Sequence, residues 1–131
     1  MCRLLVALLL VAAVVRGADG VCCKYPLTNS IFMKSVYENE FKCSEPMNFT
    51  CTMFSNNPDI VACGVLGNQT EMPISPEFLV KTMEPIKDLK STITCDTTVG
   101  LWKINDDPKN SQWNKFSCAF KKANGDWIVP K

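Results

Sequence analysis

The chain has 131 residues, with 14 Lys and Arg against 13 Asp and Glu, a formal charge of +1 and no histidine. A nearly neutral balance supplies no long-range field that would attract nucleic acid or an anionic membrane. The absence of histidine excludes Ser-His-Asp and Cys-His catalysis and every metal site that needs an imidazole ligand.

Residues 1–20 have the pattern of a signal peptide. A basic residue precedes an unbroken apolar run of twelve residues at 4–15, and small residues follow at Gly17 and Gly20. The run is shorter than the roughly 20 residues that span a bilayer, so cleavage after Gly17 or Gly20 is favoured over a membrane anchor. We therefore expect a secreted, extracellular protein without a membrane span, in which residues 21–131 form one cysteine-rich domain.

Cleavage of the leader also removes both arginines. From residue 18 onward there are 12 Lys, no Arg and 13 acidic residues, a formal charge of −1. Arginine supplies the bidentate contacts that recognise phosphate and guanine. We expect no nucleic-acid partner.

Seven cysteines remain after cleavage, and in an exported protein they predict a disulfide framework. They are Cys22, Cys23, Cys43, Cys51, Cys63, Cys95 and Cys118. No Cys-x-x-Cys pair occurs, so we expect neither a metal nor another cofactor. Three bridges leave one odd cysteine, and the spacing does not select a pairing.

Two limits apply to that pairing. Cys22 and Cys23 point to opposite sides of an extended chain, so we expect different fates for them. One of the two is a candidate for the odd thiol, either shielded within the fold or joining two chains in a covalent dimer. Cys95 and Cys118 would lie about 10 Å apart in a flat meander, beyond the roughly 7 Å that a bridge tolerates. A bond between them would require strands that face each other across two sheets.

The stretch from Cys95 to Cys118 predicts strand, turn, strand, loop and strand, with the turn at Gly100 and the loop near 105–110. Further strand patterns and one hairpin signal occur elsewhere in the chain. They are the broken alternation at 31–37, the clean alternation at 48–54, the apolar run at 60–66, and the Asn124-Gly125 hairpin signal. Short strands separated by turns are typical of a mainly β fold, here a small disulfide-stabilised sandwich of short antiparallel strands.

The segment 76–84 has no single interpretation. Ser75 and Pro76 suit the start of a two-turn helix, and Pro85 would end it. A ragged strand or loop fits the same residues equally well.

Two sequons predict a glycoprotein. Asn48-Phe49-Thr50 and Asn68-Gln69-Thr70 both lack proline in the middle position, so both can accept a glycan in a secretory pathway. Asn48 falls on the face opposite Cys51, and Asn68 is expected in a polar turn at the surface.

Four segments, taken in order, resemble the nematode six-cysteine extracellular domain family. They are CSEPMNFTCTM at 43–53, DIVACGVLGNQT at 59–70, ITCDTTVGLW at 93–102 and KFSC at 115–118. The resemblance spans about residues 22–118 and implies a small secreted extracellular module with no assigned catalytic residues. The Cys22-Cys23 doublet and the long stretch between Cys63 and Cys95 depart from the family pattern and leave the pairing open. Complement-control modules, with four cysteines, are less similar.

Binding is the function that these features favour, and catalysis is not expected. The acid pairs Asp106-Asp107 and Glu38/Glu40 are more typical of solvated turns than of a catalytic cleft. We expect an interaction module that recognises a protein or glycan through a strand face or the 105–112 loop. The candidate contact aromatics are Tyr37, Trp113 and Trp127, although core packing is the favoured role for each. The alternatives are a secreted effector of the inhibitor or toxin type, presenting the region 65–72, and a carrier of a small apolar ligand.

Overall fold

The computed structural model describes residues 20–28, 32–52, 57–69, 79–85 and 87–130, which contain eight β-strands and no helix. The strands are β1 (Met33–Lys34), β2 (Met47–Cys51), β3 (Ile60–Asn68), β4 (Leu79–Met83), β5 (Leu89–Asp96), β6 (Leu101–Ile104), β7 (Lys115–Lys122) and β8 (Trp127–Ile128). Apart from Gly20, the predicted signal peptide at 1–20 lies outside the described residues.

The strands form two four-stranded antiparallel sheets. The first sheet has the order β1-β2-β5-β6, and the second has the order β4-β3-β7-β8. The predicted mainly β, disulfide-stabilised sandwich is therefore confirmed. The three strands predicted between Cys95 and Cys118 are present as β5, β6 and β7. They are divided between the two sheets, so they do not form a flat meander.

Side-chain alternation explains the clearest strands. In β2, Met47, Phe49 and Cys51 are buried, whereas Asn48 between them is exposed. This is the period of two that a strand with one face on the core requires. The apolar run predicted at 60–66 is the beginning of β3, which is paired on both sides and buried over nearly all of its length.

The structure decides between the alternatives at 76–84 and shortens the strand predicted at 31–37. The described part of 76–84 is strand β4, which pairs antiparallel with β3, so the strand alternative holds and the helix does not. Its backbone hydrogen bonds to β3 outweigh a weak local helix signal, as tertiary context commonly does. Residues 76–78 lie outside the described residues. The strand predicted at 31–37 is reduced to the two residues of β1, which pair with the end of β2.

The core lies between the two sheets. Phe49 of β2 and Phe116 of β7 face each other there, with ring centroids 5.9 Å apart. The disulfide between Cys51 and Cys118 joins the same two strands, with Cα atoms 5.6 Å apart and both cysteines fully buried. This bond determines which face of each sheet points inward.

The N-terminal segment 20–28 crosses the edges of both sheets. Its backbone accepts hydrogen bonds from the indole nitrogen of Trp102 in β6 at 2.8 Å and from the amide of Phe116 in β7 at 2.8 Å. The disulfide from Cys23 to Cys95 attaches the segment to β5. The segment therefore covers one open side of the sandwich.

Trp113 packs flat against Gly67 at the end of β3. A Cβ atom at residue 67 would lie 2.4–2.9 Å from three carbon atoms of the indole ring, closer than any side chain tolerates. Backbone hydrogen bonds of 2.7 and 2.8 Å join Trp113 to Trp102 in both directions and hold the ring over this glycine. The absence of a side chain at position 67 therefore leaves the space that the Trp113 ring occupies in the core.

We expect two of the three disulfides, the one across the sheets and the one between the N-terminal segment and the loop after Tyr37, to differ in their contribution to stability. Cys51–Cys118 closes 67 residues and Cys22–Cys43 closes 21. Loop entropy then assigns them about 4 and about 3 kcal/mol, and loss of buried sulfur adds to the cost of removing the first. Urea unfolding of Cys51→Ala/Cys118→Ala should show a larger loss of unfolding free energy than Cys22→Ala/Cys43→Ala. Equal losses, or the reverse order, would contradict the central role of the cross-sheet bond.

Gly67→Ala should destabilise the protein by about 1–3 kcal/mol, because the added methyl group displaces the Trp113 ring. The displacement should also change the near-ultraviolet circular dichroism, which reports the surroundings of the tryptophans. The control is Gly125→Ala, where φ is 97° but no atom lies within 4 Å of the added Cβ. That variant should lose stability through backbone strain alone and keep the near-ultraviolet spectrum. An unchanged spectrum in Gly67→Ala would show that the ring does not depend on this glycine.

Candidate functional site

An exposed tyrosine beside a surface cleft is the strongest candidate for a binding site. The side chain of Tyr37 is 73% exposed and forms one wall of a cleft of about 240 Å³. We call this the Tyr37 cleft; it is lined by Tyr25, Leu27, Thr28, Met33, Lys34, Ser35 and Tyr37. Its walls come from the N-terminal segment and from β1 with the stretch that follows it, two regions brought together by the fold.

Covalent and hydrogen bonds hold both walls in place. The disulfide between Cys22 and Cys43 joins the N-terminal segment to the loop after Tyr37, with Cα atoms 5.6 Å apart. The Tyr25 hydroxyl donates a hydrogen bond of 2.8 Å to the carbonyl of Val36, directly before Tyr37. Its ring also meets Phe41 edge to face at 5.3 Å. Tyr37 therefore lies on a fixed turn, a geometry in which contact with a partner would cost little entropy.

The turn itself is closed by backbone hydrogen bonds. The carbonyl of Tyr37 accepts hydrogen bonds from the amides of Glu40 and Phe41, at 2.9 and 3.1 Å. Glu38 and Glu40 are both exposed on this turn, as expected for solvated acids. The turn therefore places Tyr37 and two carboxylates on the same exposed stretch.

Tyr25 acts as a neutral hydrogen-bond donor at physiological pH. Partial burial raises the pKa of its phenol, and the negative charge of Glu38 raises it further. Since both effects disfavour the phenolate, the hydroxyl keeps its proton and its bond to Val36.

The cleft offers chemistry that suits binding. It combines an exposed aromatic ring with the ammonium group of Lys34 and the hydroxyls of Thr28 and Ser35. The Thr28 hydroxyl donates to the Phe116 carbonyl at 2.9 Å, which ties this wall to the second sheet. Aromatic rings stack on apolar surface and account for much of the binding energy at interfaces, while the polar groups orient a ligand.

A second cleft lies beside the 105–112 loop. It has a volume of about 320 Å³ and is lined by Leu79, Val80, Asp107, Pro108, Lys109, Ser111 and Trp113. The Asp107 carboxylate accepts hydrogen bonds from the backbone amides of Lys109 at 3.0 Å and Ser111 at 2.9 Å. The loop is therefore held by its own side chains, and its carboxylate is engaged in that local turn.

The adjacent acids Asp106 and Asp107 have separate structural contacts. Asp106 has a positive φ of 63°. Its carboxylate forms an ion pair with the Lys81 ammonium group on β4, at 3.2 Å. Lys81 also donates to the Asn105 side chain at 3.2 Å. The loop is thereby attached to the edge strand of the second sheet.

The three predicted contact aromatics have different surroundings. Tyr37 is exposed, as a contact residue requires. Trp113 is only 8% exposed and packs against Gly67, which agrees with the core-packing role. Trp127 is half-buried, and a Cβ at Gly64 would lie 3.1 Å from its ring. Its ring covers the outer face of the second sheet, and its contact role stays a prediction.

Of this cleft the sequence indicated only Tyr37, and Tyr25 is the most important of the residues that it did not indicate. It lies twelve residues before Tyr37, and no local pattern links the two. The Cys22–Cys43 disulfide brings them together, so only the cysteine pairing could have identified Tyr25 in advance.

The two sequons differ in exposure. Asn48 is exposed in the middle of β2, as predicted. Asn68 was expected in an exposed turn, but it is the last residue of β3 and only 5% exposed. Its backbone pairs with Lys115 of β7, so strand β3 continues past the predicted turn.

The disulfides settle the fate of the cysteine doublet. Cys22 bonds to Cys43 and Cys23 bonds to Cys95, so the expectation of different fates is confirmed. The suggestion that one of the doublet is the odd thiol is wrong. The free cysteine is Cys63, at the centre of β3.

The Cys63 thiol is enclosed by the core. It is 1% exposed and donates to the Lys87 carbonyl at 3.1 Å. Burial raises its pKa, and the charge of Asp88 raises it further, against the lowering effect of the hydrogen bond to Lys87. The odd thiol is therefore shielded within the fold, the first of the two alternatives, and its burial gives no support to a covalent dimer through this cysteine.

Two negative observations concern the part of the chain given above. Within those five ranges, no helix is long and apolar enough to span a membrane. Nor do three His, Cys, Asp or Glu side chains in these ranges cluster closely enough to hold a metal ion.

Comparison with known proteins gave no relative: no family model, curated protein or solved structure matches this chain.

We expect Cys63 to resist alkylation in the folded protein. Its burial and raised pKa both disfavour the reactive thiolate. Iodoacetamide should leave the native protein unmodified and add one label, on Cys63, in denaturant without reductant, as read by peptide mass spectrometry. Cys63→Ala should accept no label under either condition. Rapid labelling of the native wild type would contradict the buried position.

Proposed function

We propose that this protein is a secreted, non-enzymatic extracellular binding module that recognises a protein or glycan partner through the Tyr37 cleft. The observation that carries the proposal is the 73% exposure of Tyr37 on a turn held by a disulfide and by Tyr25. Aromatic side chains account for much of the binding energy at interfaces, and a rigidly held one loses little entropy on contact with a partner.

Export is supported by the cysteines. Three disulfides join six of the seven cysteines that follow the predicted leader, and such bonds persist in oxidising compartments. The apolar run at 4–15 supplies the matching export signal. The likeness to the nematode six-cysteine family stays a prediction that agrees with this location.

A non-enzymatic role is supported by the residue inventory and by the acids. The chain has no histidine. The carboxylate of Asp106 pairs with Lys81, and that of Asp107 accepts two backbone amides of its own loop. Both acids thus have structural contacts that account for their positions.

The inhibitor alternative is less well supported by the segment on which it depends. An inhibitory loop must offer an extended, accessible backbone to an enzyme. Val65 and Leu66 are fully buried and paired with β4 on one side and β7 on the other. Residues 70–72 of the same segment lie outside the described residues.

The carrier alternative would need a cavity between the sheets for an apolar ligand. Met33 and Met47, two of the methionines that suggested it, are buried members of the packed core. Met commonly fills gaps in cores, so their presence needs no ligand.

Tyr37→Ala should weaken partner binding by about 30-fold, as expected for loss of a contact aromatic worth about 2 kcal/mol. The probe is fluorescently labelled purified protein applied to cells of the organism that expresses it, with saturable binding competed by unlabelled protein. The matched control is Val99→Ala, since Val99 is 50% exposed on the β5–β6 turn, outside the Tyr37 cleft. Wild-type affinity in Tyr37→Ala, or equal losses in both variants, would contradict the assignment of this cleft.

Treatment of the cells before binding separates the two partner classes. Loss of binding after glycosidase treatment identifies a glycan, and loss after protease treatment alone identifies a protein.

The proposal of a non-enzymatic role fails if the purified protein turns over a substrate and a single carboxylate-to-amide substitution abolishes the turnover.

A further inference from the structure

Only one of the two sequon asparagines lies where the folded protein could accommodate a glycan. Asn48 projects from the outer face of the first sheet, because its neighbours Met47 and Phe49 point into the core. The Thr92 hydroxyl donates to its side-chain oxygen Oδ1 at 2.7 Å. This bond orients the amide and, among the described residues, Nδ2 has no protein hydrogen-bond partner. The amide nitrogen is thus available at an exposed, ordered position.

Asn68 is in the opposite situation. It is 5% exposed, its backbone pairs with Lys115 of β7, and its carbonyl accepts a 2.7 Å hydrogen bond from the amide of Asn114. The residue before it, Gly67, supports the Trp113 ring. A bulky, hydrated glycan on a side chain this deeply buried could not be accommodated without separating β3 from its neighbours.

We propose that Asn48 is N-glycosylated and Asn68 is not, and that the glycan covers the outer face of the first sheet. In the modification, Nδ2 loses one proton and forms a bond to the anomeric carbon of an oligosaccharide. The bond from that carbon to the diphosphate of a lipid-linked donor breaks, and the lipid diphosphate leaves with the electron pair. The proposal rests on the export part of the proposed function, since the donor is met in the secretory pathway.

The outer face of the first sheet fits this covering. Its outward side chains are polar around Asn48; they include Lys34, Thr50, Lys90, Thr92, Thr94 and Lys103. The strand register places Thr92 directly opposite Asn48, and Lys90 opposite Thr50. Lys90 therefore lies about 8 Å from Asn48, one strand across and two residues along. A sugar chain attached at Asn48 lies over hydroxyl and ammonium groups, which can hydrogen-bond to it.

A glycan at Asn48 would also lie close to the Tyr37 cleft. Asn48 and Val36 line the same shallow cleft of about 180 Å³, and the Ser35 hydroxyl donates to the Asn48 carbonyl. Lys34 lies on this face and also lines the Tyr37 cleft. Sugar at Asn48 therefore limits approach to the cleft over Lys34 and leaves Tyr37 accessible from the side of the N-terminal segment.

The site assignment is tested by expressing the full chain with its own leader in eukaryotic cells and collecting the medium. Peptide N-glycosidase treatment in water labelled with oxygen-18 marks each occupied asparagine, which mass spectrometry then locates. We expect the label on Asn48 alone. Asn48→Gln and Thr50→Ala should each abolish the glycan, Thr50→Ser should keep it, and Asn68→Gln should leave it unchanged.

The outcomes separate the two proposals. Label on Asn68, or exported protein without a glycan at Asn48, overturns the site assignment and leaves the proposed function intact. Protein that is absent from the medium and unglycosylated overturns both the assignment and the export part of the proposed function.

Coverage of the sheet is tested by lysine acetylation. In the glycosylated protein, Lys90 should acetylate several-fold more slowly than in Thr50→Ala, which keeps Asn48 but carries no glycan. Lys109, exposed on the 105–112 loop, should react equally in both proteins. Equal reactivity of Lys90 in the two proteins overturns the covering of this face.

Discussion

The disulfide between Cys51 and Cys118 is the constraint on which the rest of the structure depends. It joins β2 to β7 across the core, where Phe49 and Phe116 also meet. Two of the strands are only two residues long, so the sheets by themselves bury limited apolar surface. A covalent bond between the inner faces removes conformational freedom from the unfolded chain and commits each strand to one orientation.

The cysteine doublet is the second constraint, and its two disulfides hold together the walls of the candidate site. Because Cys22 and Cys23 point in opposite directions, one short segment can be attached to two different regions. Cys23 attaches it to β5, and Cys22 attaches it to the loop that contains Cys43. Tyr25 is thereby held against the backbone just before Tyr37, which turns an exposed aromatic residue into a fixed one. Rigid presentation of this kind lowers the entropic cost of binding.

The outer faces of the two sheets differ in exposure and polarity. Strand β3 of the second sheet is buried on both faces, and Trp127 covers part of its outer side above Gly64. The first sheet has a polar outer face with Asn48 at its centre, where we propose a glycan. Tyr37 lies beyond the edge of that face. A module organised in this way would direct a partner to one cleft, with sugar on one side and the N-terminal segment on the other.

The sequence by itself determined the β class, the export pattern, and the strands with a strong local signal. The alternation at 48–51, the apolar run at 60–66 and the Asn124-Gly125 hairpin depend on side-chain period and turn chemistry, which are local properties. Only the tertiary structure decided that 79–83 is a strand, that Cys63 is the free thiol, and which aromatic and asparagine side chains reach the surface. Asn68 has a polar side chain and was predicted in a surface turn, whereas it pairs with Lys115 of β7. Trp113 packs on Gly67 of β3. Both contacts join residues about fifty positions apart, which no local pattern records.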